Sequence, residues 1–157
     1  MKLVGGPWDQ PQVVGWLLGA RIPVRLAVLA PRGPLVVSLW YRYDDGALWC
    51  ATRADADVVQ HITADPRVGI EVGPDVPPYR GVRGTGRATV LPEHGQSMLD
   101  ALLARYLDPV NDDLAALLAR NADDEVAIRI DQLRLSSWDF SARMHPQETG
   151  PILPEPG

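Results

Sequence analysis

Apolar positions along this chain switch repeatedly between a spacing of two and a spacing of three to four, and the switches divide it into short strands and short helices. Asp9 followed by Pro11 has the chemistry of a helix start, and Val13, Val14, Leu17 and Leu18 recur at helical spacing up to Gly19. A helix over residues 9–20 is expected. The run from Ile22 to Ala30 is apolar on both faces apart from Arg25, which predicts a buried strand, with a turn over Pro31 to Pro34. Leu35 to Tyr43 is rich in β-formers, Asp44-Asp45-Gly46 has hairpin chemistry, and Ala47 to Thr52 resumes a strand. Asp55 is then expected to cap a helix carrying Val58, Val59 and Ile62, which stops near Asp65-Pro66.

Val68, Ile70 and Val72 alternate with Gly69 and Glu71 as in a half-buried strand, and a Pro-rich connection follows over residues 73–78. The next strand, Gly81 to Leu91, carries glycines at 81, 84 and 86, a sign of a bend or of close approach by another group. Helical stretches then begin at Pro92, with Met98, Leu99, Leu102, Leu103 and Tyr106 on one face, and at Asp112, with Leu114, Leu117 and Leu118. Asp108-Pro109 separates them. The last strands expected are Glu125 to Asp131 and Leu133 to Phe140. Six or seven strands with hairpin turns and short helices argue for a mainly β fold, an antiparallel barrel with peripheral helices. One domain is expected over residues 1–143, with a Pro- and Gly-rich tail over 144–157 that is either mobile or draped over a partner subunit.

Composition narrows the class without naming a function. The 157 residues are 46% hydrophobic and 22% charged, the balance of an ordinary globular domain. A net charge of −5, with both signs mixed along the chain, makes nucleic acid a poor default partner. Cys50 is the only cysteine, which fits a reducing compartment, and no signal-like or membrane-length apolar segment stands in the sequence. A cytoplasmic, non-membrane protein is expected.

Common catalytic signatures are missing from the sequence: it has no nucleophile elbow, no P-loop, no His-Glu-x-x-His and no glycine fingerprint between strand and helix. His61, His94 and His145 stand in separate segments without chelating spacing and read as solvated or structural, and no metal site is expected. The carboxylates Asp112-Asp113 and Asp123-Asp124-Glu125 read as solvated helix-start and loop charges. Arg25, inside an otherwise apolar strand, needs either an internal carboxylate or a bound anion. Arg83 and Arg87 share a strand face and are either solvent-facing or a small anion rail.

The order of segments is more informative than any one of them. RLAVLAPRG, VVSLWYRYDDG, ALWCATR, ADPRVGIEV, PPYRGVRGTGRATV, DEVAIRI and SSWDF together span most of residues 21–143. In that order they resemble the split β-barrel proteins of the pyridoxamine 5′-phosphate oxidase family, including its F420-dependent relatives. The resemblance implies a homodimer with a flavin in an interface cleft, and an oxidoreductase acting on a small molecule. It puts Ser38, Leu39, Trp40 and Tyr41 beside the ring and Thr52 with Arg53 near the phosphate. FMN is the first cofactor implied and F420 the second. Trp40, Tyr41, Trp49 and Trp138 serve equally well as core or dimer packing.

One departure from the family's pattern is serious. Ala56-Asp57-Val58 stand where flavin-binding members commonly carry Ser-Arg-Lys, and Asp55 and Asp57 bring negative charge toward a helix start. Val36 and Tyr41 likewise replace basic residues. Arg53 or Arg25 would then serve as the cation, or the phosphate lies elsewhere, or the fold holds haem, another non-redox ligand or none.

Overall fold

The computed structural model describes residues 1–107, 112–119 and 124–144; the tail expected over 144–157 lies outside the described residues apart from Met144. The strands are β1 (Lys2–Gly5), β2 (Val24–Ala30), β3 (Gly33–Leu39), β4 (Arg42–Asp44), β5 (Ala47–Arg53), β6 (Arg67–Val72), β7 (Arg80–Leu91) and β8 (Glu125–Asp139). The helices are α1 (Gln10–Gly19), α2 (Asp57–Ala64), α3 (Gly95–Tyr106), α4 (Asp112–Ala119) and α5 (Ser141–Met144), with one 3₁₀ turn at Pro92–His94.

The strands form one sheet in the order β3-β2-β6-β7-β8-β5-β4, antiparallel throughout, with β1 added in parallel to β8. This is the antiparallel split barrel that the pattern and the resemblance imply. Its core is the inward row of alternate positions: Val24, Leu26 and Val28 from β2, Val68, Ile70 and Val72 from β6, and Ile128, Ile130 and Leu135 from β8. Leu48 and Cys50 of β5 join them, and α1 and α2 cover the core with Val13, Leu17, Val58, Val59 and Ile62. Burial pushes the Cys50 thiol up to about 12, so at neutral pH it is an apolar packing group.

Several expectations change. The stretch Leu35 to Tyr43 is two strands, because β3 pairs with β2 while β4 pairs with β5, and Trp40-Tyr41 crosses between them. Pro34, expected in the turn, stands in β3, where an edge strand tolerates a missing N–H. The hairpin at Asp45-Gly46 is present, with φ of 45° and 73°, the positive values a tight two-residue turn requires. β2 is buried on one face only: Leu29 on the other is 45% exposed. Asp55 does not cap α2; the N-cap is Ala56, without a side-chain bond, because the Asp55 carboxylate is taken by Arg53.

The two final strands expected are one, β8, which continues through Gln132 at φ 50°. At that point Gly86 alone of β7 lies opposite the extra residues Gln132 and Leu133, a bulge that turns the strand pair. The glycines of β7 permit the crossing. A Cβ on Gly84 would stand 2.0 Å from the Arg134 carbonyl oxygen, and one on Gly81 2.3 Å from that of Val72. Backbone cannot yield as a side-chain tip can. Gly84→Ala is therefore expected to cost about 3 kcal/mol in urea unfolding, whereas Gly15→Ala, inside α1 with open space around the position, raises the midpoint by the equivalent of about 0.5–1 kcal/mol.

Candidate functional site

The groove lies where the barrel splits. The end of β3 (Ser38, Leu39), Trp40 and Pro23 form one wall, and Ala51, Thr52 and Arg53 of β5 the other. Leu99 and Leu102 of α3, Leu114 of α4 and Glu125 at the start of β8 complete a cavity of about 490 Å³, within the usual size range of small-molecule sites. Ser38, Leu39, Trp40, Thr52 and Arg53, singled out in the sequence, thus come together in one place.

Trp40 is held by its neighbours. Its ring stacks on Tyr106 of α3 at 5.1 Å between centroids and 7° between planes. The Tyr106 hydroxyl donates to the Ile22 carbonyl at 3.0 Å and accepts the Tyr41 N–H at 3.3 Å. Burial raises the Tyr106 pKa, so the phenol stays protonated and available as a donor. A groove wall fixed on both the ring and the backbone is already organised before a ligand arrives.

Tyr41 and Arg25 stand apart from the groove. Tyr41 is fully buried, and its hydroxyl donates to the Leu17 carbonyl at 3.0 Å at the end of α1. Burial pushes its pKa far above the ordinary tyrosine range. Arg25 meets the carboxylate of Asp75 and the carbonyls of Pro23 and Gly73, on a separate outer depression shared with Val36, Glu71 and Arg83. The pair corrects the expectation of a buried guanidinium: Arg25 is on the outer face of β2 and Asp75 is 82% exposed, so its carboxylate partner is a surface group and not an internal one. Trp49 is engaged by Arg129 and His94, and Trp138 by Arg83, all outside the groove. His61 and His94 line no part of it, and His145 lies outside the described residues. Among the described residues, no group of three or more His, Cys, Asp or Glu could hold a metal.

Glu125 overturns one expectation. It was read as a solvated loop charge, yet it opens β8 half-buried, paired in register with Arg53 and facing the groove. Burial raises its pKa, opposed by the Arg53 charge and reinforced by Asp124. Arg53 itself is committed: its guanidinium forks onto Asp55, with Nε to Oδ1 at 2.9 Å and Nη2 to Oδ2 at 3.0 Å. Both side chains are more than half exposed.

A flavin mononucleotide fits this groove at one end only. A flat ring finds the strand backbone at Ser38–Trp40 and the side chains of Leu39, Trp40, Leu99 and Leu102. A terminal phosphate near Arg53 would meet one guanidinium already paired with Asp55 and in the field of Asp124 and Glu125. Asp57 in the first turn of α2 offsets that helix's positive end as well. The ring is accommodated and the phosphomonoester is not.

The Glu125 carboxyl supplies a stability test. Its folded pKa lies above its unfolded value, so the native state holds the proton more tightly, and stability falls as pH climbs between the two. Glu125→Gln is expected to raise stability at pH 7 by up to about 1 kcal/mol, limited by the water that still reaches the group. The gain disappears at about pH 3, below the ordinary glutamate range, when thermal unfolding is compared at both pH values.

Comparison with known proteins bears on the same region. A search of curated proteins gives no match. Among solved structures, a conserved hypothetical protein of Mycobacterium tuberculosis superposes with a TM-score of 0.71 at 24% identity, covering 96% of this chain and 94% of its own. A protein described as F420 reductase gives 0.60 at 24% identity, covering 76% and 93%. HutZ, the haem storage protein of Vibrio cholerae, gives 0.59 at 14% identity, covering 78% and 88%. At these identities the likeness is one of fold. The sequence profile of pyridoxamine 5′-phosphate oxidase matches residues 14–139, from α1 to the last residue of β8, and the chain belongs to that family.

Proposed function

We propose that this protein is an oxidoreductase that holds a flat ring of the flavin or deazaflavin class in the groove between β3 and β5, with a small molecule as its substrate. The observation that carries the reading is the convergence of Ser38, Leu39, Trp40 and Thr52 on one preorganised groove, at the positions the family resemblance assigns to the cofactor. Such a ring, when bound, supplies the hydride chemistry; the protein supplies orientation and exclusion of water. Leu99, Leu102 and Leu114 keep one side dry, and the Tyr106 stack fixes Trp40. The F420 reductase among the structural neighbours is in keeping with a ring of the deazaflavin kind.

Two copies complete the site in this proposal. Pro34, Val36 and Ser38 form the outward row of β3, Val36 being 60% exposed, and Ser38 belongs both to that row and to the groove. A second copy resting on this apolar row would border the cofactor. The N–H and C=O groups along an edge strand are a further reason for that row to be covered. No described helix is long and apolar enough to cross a membrane, and the proposal keeps the protein in the cytoplasm.

A second reading, a non-redox ligand-binding protein of the same fold, is favoured by the carboxylates around Arg53. Haem is its named case, after HutZ, although no His, Met or Cys lines the groove among the described residues. Absorption titration with FMN, F420 and haem separates the two. With riboflavin added to that series, the expected result is a perturbed flavin or deazaflavin band with a dissociation constant of tens of micromolar or below for at least one ring-bearing probe, weakened about threefold to tenfold by Trp40→Ala, as loss of one aromatic stack implies. No change with riboflavin, FMN or F420 removes the oxidoreductase reading, and a Soret shift with haem supports the second.

A further inference from the structure

We infer that the Arg53 end of the groove reads a neutral, hydroxyl-bearing chain and turns away a terminal phosphate, so that the ligand is a flat ring carrying an uncharged polyol. The inference rests on the ring-binding reading above and goes beyond it by fixing the class of the ligand's other end.

The argument is one of charge and donor type. The guanidinium of Arg53 has spent its fork on Asp55, through two near-parallel bonds of 2.9 and 3.0 Å. A phosphate would have to displace that carboxylate and leave it beside a dianion. Glu125, in register with Arg53 on the neighbouring strand, and Asp124 add two more carboxylates to its surroundings. The Asp124 carbonyl is tied to the Ala54 N–H at 2.7 Å, which keeps the acidic segment close to the end of β5. Asp57 stands in the first turn of α2, where its negative charge offsets the positive end of that helix and disfavours a second anion.

A polyol meets the same surface on favourable terms. Its hydroxyls donate to carboxylate oxygens, and such charge-assisted bonds are stronger than neutral ones. The Thr52 hydroxyl, half-buried in the groove wall, both donates and accepts. Glu125, half-buried among Leu99, Leu102 and Leu114, is an acceptor that gains a partner when a hydroxyl arrives and a repulsive neighbour when a phosphate does. The same groups thus select by charge at one end while the ring is held at the other.

Riboflavin and FMN share ring and ribityl chain and differ only in the phosphate, which makes them matched probes. Fluorescence titration of each into the full chain at low ionic strength is expected to show riboflavin binding at least about threefold more tightly than FMN. Asp55→Asn releases Arg53 and removes one carboxylate, so FMN should gain on riboflavin by about tenfold, while Asp55→Glu keeps the wild-type preference. Tighter binding of FMN by the wild-type chain overturns the inference and leaves the ring-binding reading standing. So does a preference that Asp55→Asn leaves unmoved. Binding of neither probe overturns the ring-binding reading for flavins, and this inference with it.

Discussion

The groove depends on a single crossing. Within Trp40 and Tyr41 the chain must leave the β2 side of the sheet and reach the β5 side, and the Tyr41 hydroxyl is what holds that passage in place. A buried phenol needs an acceptor, and the end of α1 offers carbonyls that no further helical turn can satisfy. Arg105 serves neighbouring carbonyls of the same helix end from α3, donating to Leu18 at 2.9 Å and to Ala20 at 2.8 Å. The end of one helix, the crossing and the last turn of another are thereby tied into one unit. Because Tyr106 follows Arg105 and stacks on Trp40, the geometry of the groove wall is set by bonds made on the far side of the crossing.

The electrostatics of the two groove ends are opposed in kind. One end is apolar and aromatic, indifferent to the charge of what lies against it. The other gathers carboxylates around a guanidinium that already has its partner. The character of the first end comes from a strand end and a stacked aromatic. That of the second comes from Asp55, Asp57 and Glu125.

Much of the fold could be read from local pattern. Alternation marked β6 and the first half of β8, and Asp45-Gly46 marked the hairpin by its backbone chemistry, with β5 resuming after it. What escaped was decided by distant partners. β-formers run without a break from Leu35 to Tyr43, and only the choice between β2 and β5 as neighbour divides them. β1 is four residues with no alternation of its own, a strand because β8 offers an edge. Five groove residues were named from family resemblance, but Glu125 was hidden by its acidic neighbours in sequence, and its burial comes from β5 and the helices above it. Asp55 looked like a helix cap because a side chain two residues earlier, Arg53, is invisible to a rule written for helix ends.

The pairing of β1 with β8 joins Lys2 to Arg134 and Leu3 to Leu135, almost the whole chain apart. During synthesis β1 must wait for β8, a delay on the order of ten seconds at ordinary elongation rates. Until then Trp8 lacks Ser137, which accepts its N–H, and Asp139, which accepts its indole N–H. A nascent chain stalled before residue 134 would carry β1 without the strand it pairs with.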